Sequence, residues 1–327
     1  VAQAKLIPRS AQFFRLQRRI DLLWARGWPE WTPRVEGLPT GTGCAWTFSR
    51  GFASAVRTAP AAFVEGIDAF FEAAPLLDEV QLDCGQLGPM SLDTMGWLER
   101  LFALPAFLKI RTLRLFSLND AGAIVLSGLP SNLTALELSR TNLGTATYQV
   151  LGSQHSSLRS LHTLELSMAN AHDVAIAQLF ALQWPALRAL TIGNEGVGER
   201  GMRALINGNL PKLESLDLSW SQTGGTKAIE ALAACGTLPL LRELDLSYCE
   251  VTAPMALALA GAAGFSLKVL RLAHAGLDAT GVRALIDAWV CRGLELLDLS
   301  GVTLDAATRA LLEETYGERV LLMPVTA

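Results

Sequence analysis

The sequence predicts an α/β solenoid in which short parallel strands line a concave sheet and a helix returns along the convex side of each unit. Three observations carry this. An apolar-x-x-apolar-x-apolar phrase, mostly leucine, occurs nine times, with first positions at 77, 110, 133, 161, 187, 213, 241, 267 and 294. Its clearest copies are Leu133-Thr-Ala-Leu136-Glu-Leu138, Leu161-His-Thr-Leu164-Glu-Leu166, Leu213-Glu-Ser-Leu216-Asp-Leu218, Leu241-Arg-Glu-Leu244-Asp-Leu246 and Leu294-Glu-Leu-Leu297-Asp-Leu299. After intervals of 33 and 23 residues the period holds at 26 to 28, the spacing of units that stack on one another. Half of the 327 residues are hydrophobic and 18% are charged, enough apolar material for one continuous core shared by every unit.

The elements follow in order. Residues 1–50 are expected to form an N-terminal helical cap: Phe13, Leu16, Ile20, Leu23 and Trp24 share one helical face, and Arg15, Arg18, Arg19 and Arg26 mark its wet side. Trp46 and Phe48 alternate as in a short antiparallel strand over the end of the stack. The solenoid then spans 51–327. Counting 26 residues back from Val80 and Leu82 reaches Ser54 and Val56, which marks 51–76 as a degenerate first repeat with a helix over 60–74. Nine repeats run from 77. Within each, alternation such as Leu216-Asp-Leu218-Ser-Trp220 is strand periodicity, leucines inward and the rest outward. A loop with one apolar anchor follows (Leu143, Val197, Val251, Leu277, Leu304), and then a helix, as at 201–206 and 281–286. Asp278 and Asp305 stand where side chains accept from the free amides of a first helical turn. Pro185, Pro211 and Pro239 fall where a helix has to have stopped. Residues 319–323 are expected to add a terminal edge strand.

A period near 27 leaves room for a full helix opposite each strand, and helices are wider than strands, so the stack curves into a horseshoe. On the repeated phrase and this period, residues 77–318 resemble the ribonuclease-inhibitor-like class of leucine-rich repeats. The ninth position of the phrase, commonly Asn or Cys in that family, reads Gly85, Thr141, Ala169, Glu195, Ser221, Cys249, Ala275 and Val302, with the copy at 110 left outside the alignment. Few of these join a polar ladder, which predicts a looser inner turn. Ala11-Gln-Phe-Phe-Arg-Leu-Gln17 and Gly51-Phe52 are similar to the tail of the repeat-companion domain that precedes leucine-rich repeats in some bacterial proteins. That resemblance implies ancestry and no mechanism.

Composition narrows the function. Cys44, Cys84, Cys235, Cys249 and Cys291 are odd in number and show no Cys-x-x-Cys or Cys/His spacing, so neither a zinc site nor a disulfide framework is expected. Reduced thiols fit a cytoplasmic protein. No signal sequence opens the chain. The low-charge stretch 251–267 is too short to span a bilayer and is broken by Pro254. Residues 1–60 carry nine Lys/Arg against three Asp/Glu, and the rest eighteen against twenty-eight. The acidic solenoid is a poor partner for phosphate backbones, leaving only the basic head as a polyanion contact. No phosphate-binding Gly-rich loop and no metal-spaced histidine pair occurs, so no cofactor or metal is expected.

The candidate surface is the concave sheet. Its fifth-position column reads Gln81, Arg114, Glu137, Glu165, Thr191, Asp217, Asp245, Arg271 and Asp298. Adjacent carboxylates in it, Glu137/Glu165 and Asp217/Asp245, are unfavourable pairs. They are either an acidic stripe for a basic partner or the repeat's habitual filler, duplicated with it. The eighth position reads Arg140, Met168, Asn194, Trp220, Tyr248, His274 and Gly301. Trp220, Tyr248 and His274 should sit side by side at one rim, beside Asp217, Asp245 and Arg271, and rings of this kind are favoured at binding hot spots. Asp245, Ser247 and His274 on neighbouring strands suggest hydrolase chemistry only superficially, because an open sheet offers no oxyanion donors. The expected function is a non-enzymatic protein-interaction scaffold for an unknown, basic partner. The alternatives are an accessory role like that of leucine-rich GTPase-activating proteins, through an exposed arginine such as Arg140 or Arg200, or a polyanion contact through residues 1–60.

Overall fold

A computed structural model of the chain describes residues 44–49, 52–85, 92–118, 125–141, 143–153, 158–169, 172–181, 183–223, 225–262, 266–288 and 293–323. The helical face expected over 13–24 and the companion-like segment 11–17 lie outside them.

One twelve-stranded sheet runs through the molecule with its strands in chain order. β1 (Ala45–Ser49) is antiparallel to β2 (Phe52–Thr58), so the strand expected around Trp46 and Phe48 does cover the first parallel strand. Every later neighbour is parallel: β3 (Glu79–Asp83), β4 (Thr112–Phe116), β5 (Ala135–Ser139), β6 (Thr163–Ser167), β7 (Ala189–Gly193), β8 (Ser215–Asp217), β9 (Glu243–Asp245), β10 (Val269–Arg271), β11 (Leu296–Asp298) and the two-residue β12 (Val320–Leu321). The register matches the phrase: Val80, Leu113, Leu136, Leu164, Leu190, Leu216, Leu244, Leu270 and Leu297 pair in one row. The copy at 110 belongs in this row. β4 pairs residue for residue with β3 and β5, so its ninth position is the buried Leu118.

The fourth and sixth positions point into the core, and nearly all are fully buried. Among the described residues, nine α-helices cover that side: α1 (Pro60–Ala73), α2 (Leu92–Ala103), α3 (Thr145–Ser153), α4 (Asp173–Leu179), α5 (Glu199–Asn207), α6 (Thr226–Ala234), α7 (Ala253–Ala260), α8 (Ala279–Asp287) and α9 (Ala306–Tyr316). α1 closes the first unit by burying Phe63, Ile67 and Phe70, and Phe70 packs tilted against Trp46 at 5.7 Å. Asp278 and Asp305 do cap α8 and α9, accepting from the Gly281 and Thr308 amides at 2.9 and 2.7 Å. The molecule is an α/β leucine-rich solenoid, with the outward row of the sheet on its concave side.

Candidate functional site

Past each strand the chain makes one repeated turn, and that turn decides what the concave rim looks like. At the eighth position the backbone is left-handed in every repeat from 110 to 294: Ser117, Arg140, Met168, Asn194, Trp220, Tyr248 and His274 have φ between 51° and 62°, and Gly301 has 75°. The amide of each eighth residue donates to the seventh-position carbonyl of the next unit, as in Trp220 to Ser247 at 2.9 Å, Tyr248 to Ala273 at 2.8 Å and His274 to Ser300 at 2.8 Å. The ladder therefore continues beyond the strands.

The expected looser turn is not found. The turn is regular because backbone bonds of this kind hold it whatever the ninth side chain is. At Glu195, Ser221 and Cys249 the ninth side chain adds a second tie, whereas the buried Thr141 hydroxyl makes none. Ser221 Oγ donates to the Ile192 carbonyl at 2.7 Å, Cys249 Sγ lies 3.1 Å from the Leu218 carbonyl, and the buried Glu195 carboxylate accepts from the Ala169 amide. Glu195 was in the sequence-aligned column, but nothing in that column marks it as buried.

The fifth-position aspartates have a local task. Asp217, Asp245 and Asp298 each accept from the amide two residues on (Ser219, Ser247, Ser300) at 2.8 to 2.9 Å. Such a bond competes with the ladder for the amide two residues on; these strands are three residues long, as is β10 with Arg271 at that position, where β3 to β7 are five. Two expected surface residues are corrected by this geometry. Asp245 is 4% exposed and Arg271 7%; the carboxylate accepts from the Ser247 amide, and the guanidinium lies 3.9 Å from Glu243. Burial, with the neighbouring Asp217 adding to it and the Ser247 hydrogen bond opposing it, raises the Asp245 carboxyl above its ordinary value.

Glu137 and Glu165 are cross-strand neighbours. Glu137 is tied to Arg114 at 2.5 Å, and the same guanidinium reaches Glu79 at 2.7 Å. Glu165 accepts from Ser167 Oγ at 3.2 Å; burial and then the Glu137 charge raise its carboxyl. In the outward columns of β2 to β11 the acids are Glu79, Asp83, Glu137, Glu165, Asp217, Glu243, Asp245 and Asp298, against Arg57, Arg114 and Arg271. The concave face is strongly negative among the described residues.

Trp220, Tyr248 and His274 are brought together as the eighth-position spacing implies. Their rings form a column: Trp220 on Tyr248 with centroids 3.7 Å apart and planes within 9°, and Tyr248 on His274 at 4.7 Å and 13°. Trp220 remains 58% exposed, Tyr248 42%, and Met168, two turns before Trp220, 48%. The left-handed backbone turns these side chains out at the rim, and the common repeat spacing of about 4.8 Å sets the rings close to stacking distance. Nothing in this arrangement aligns a nucleophile: Ser247 Oγ accepts from the Ala273 amide and the His274 ring lies flat on Tyr248. Among the described residues no group of His, Cys, Asp or Glu has the placement to hold a metal ion, and no helix is long and apolar enough to cross a membrane.

A family model described as a leucine rich repeat matches residues 237–260, which is one unit of the stack from the loop before β9 to the end of α7. No curated protein matches the chain. Among solved structures, one protein of Bacteroides fragilis is similar at 13% identity with a TM-score of 0.49, over 75% of this chain and 74% of that one. The mouse RP105/MD-1 complex is similar at 15% identity with a TM-score of 0.36, over 77% of this chain and 47% of that one. The matched unit repeats in register along the whole described sheet, and on that ground the chain is a leucine-rich repeat protein.

Proposed function

We propose that this chain is a non-enzymatic protein-interaction scaffold that docks one partner protein on its concave rim, and the period of 26 to 28 supports its likeness to the ribonuclease-inhibitor-like class. The observation that carries the reading is the exposed ring column Trp220, Tyr248 and His274. Large rings held out on a left-handed backbone incur strain of about 1–2 kcal/mol per non-glycine residue and leave apolar surface in water, and interface hot spots favour such residues. Asp217, Glu165, Glu137 and Asp298 give the face beside them its negative charge, which suits a basic partner. Asp245 and Arg271 support that face from beneath it. The buried thiols fit a reducing, cytoplasmic setting: burial pushes Cys84 up to about 12 and Cys249 up to about 11, which makes them poor nucleophiles.

The test is affinity capture from the native extract, followed by reconstitution from purified components. Wild type is compared with a Trp220→Ala/Tyr248→Ala/His274→Ala variant and with Leu257→Ala, a convex-side control that is 56% exposed. The expected result is one partner retained by wild type and the control and lost by the ring variant. Equal retention by all three moves the docking surface off the rim.

A further inference from the structure

The ring column has two unlike ends. At His274 it is closed, since a Cβ on Gly301 would lie 2.3 Å from the imidazole; the backbone of the next turn covers that ring. At the other end Tyr248 packs on the Trp220 indole at 3.7 Å, and the turn of the preceding repeat presents the exposed Asn194. Trp220 nevertheless keeps more of its surface in water than Tyr248 does. The aromatic column therefore ends at Trp220, whose indole keeps 58% of its surface in water, a platform for one more flat group.

Charge decides which flat group fits. Asp217 stands three residues before Trp220, and Glu165 lies two strands away in the same column, separated only by Thr191. The arginines of the sheet are engaged elsewhere: Arg114 by Glu79 and Glu137, Arg57 by Asp83, and Arg271 near Glu243. A neutral ring or a proline would fill the platform and leave these carboxylates uncompensated. A lysine ammonium would meet the charge but is strongly hydrated and has no plane to lay on the indole. A guanidinium is planar, weakly hydrated, and presents a fork of N–H donors to carboxylates.

We infer, resting on the scaffold reading above, that the partner docks through an extended arginine-bearing segment, one arginine lying flat on Trp220 with its N–H groups turned to Asp217. From Trp220 the segment continues along the acidic column towards Glu165. Two strand steps are roughly 10 Å, which about three extended residues span.

The test uses the full chain and labelled hexapeptides of alternating glycine and arginine, their lysine counterparts of equal charge, and a neutral proline-rich peptide, followed by fluorescence anisotropy at low salt. The arginine peptide is expected to bind roughly three- to thirtyfold tighter than the lysine peptide, the range of a cation–π contact. Trp220→Ala should bring that ratio to one, and Trp220→Phe should restore part of it. Asp217→Asn, which keeps an acceptor for the Ser219 amide, should weaken both basic peptides. A wild-type ratio of one, a ratio unchanged in Trp220→Ala, or tighter binding of the proline-rich peptide overturns the inference. If a captured partner still depends on Trp220 while the peptide ratio is one, the scaffold stands and the arginine assignment falls; if neither holds, both fall.

Discussion

The left-handed rim makes a prediction whose sign is opposite to ordinary experience. Arg140 has φ 51° and an exposed side chain, and its amide donates to the Ser167 carbonyl at 2.9 Å. Truncating it to alanine or to glycine keeps the amide and removes nearly the same side chain, so the two variants differ mainly in what the backbone tolerates. In an ordinary conformation alanine is the more stable by about 0.5–1 kcal/mol, because glycine loses more chain entropy on folding. In the left-handed region an L-residue carries a penalty of about 1–2 kcal/mol that glycine escapes. The two effects oppose, and the balance leaves Arg140→Gly ahead of Arg140→Ala by about 1 kcal/mol. The exposed mid-helix Glu230 of α6 is the internal control, where Glu230→Ala should lead Glu230→Gly by about 1 kcal/mol. Urea midpoints followed by far-UV circular dichroism give both comparisons in one protein. The same order at both sites, alanine ahead of glycine, would refute the claim that the turn imposes the left-handed backbone.

Two further outcomes are expected. Leu244 lies fully buried in the middle of the parallel row, so Leu244→Ala should cost about 2–5 kcal/mol through the cavity it leaves; a near-neutral urea midpoint would mean that the proposed inward row is misplaced. Asp245 titrates above its ordinary value of 3.8 in the fold. A carboxyl raised in this way holds its proton more tightly folded than unfolded, so the stability it contributes is present below the ordinary value and is lost as pH climbs through the raised one. Asp245→Asn keeps an acceptor for the Ser247 amide and removes that loss. Its stability relative to wild type should therefore grow as pH rises from about 4 to about 7. A difference that does not change over that range rejects the assignment.

The sequence by itself determined the strand register, the direction of the leucines, the caps at Asp278 and Asp305 and the proximity of Trp220, Tyr248 and His274. The caps follow from residue type at a helix start, and the rest from period: once a phrase recurs every 26 to 28 residues, equivalent positions fall into rows whatever else the chain does. The tertiary structure decided three things that period cannot carry. It put left-handed backbone at the eighth position, because the turn's hydrogen bonds run to the next unit and exist only once the units are stacked. It buried Asp245 and Arg271 while leaving Asp217 partly open, because position five has the same direction in every unit but different neighbours, and strand composition says nothing about where a long side chain lies down. It also closed one end of the ring column on Gly301 and left Trp220 at the other end largely exposed. Which face of a stacked ring meets water depends on the residues one repeat away on either side, and those become neighbours only in the folded solenoid.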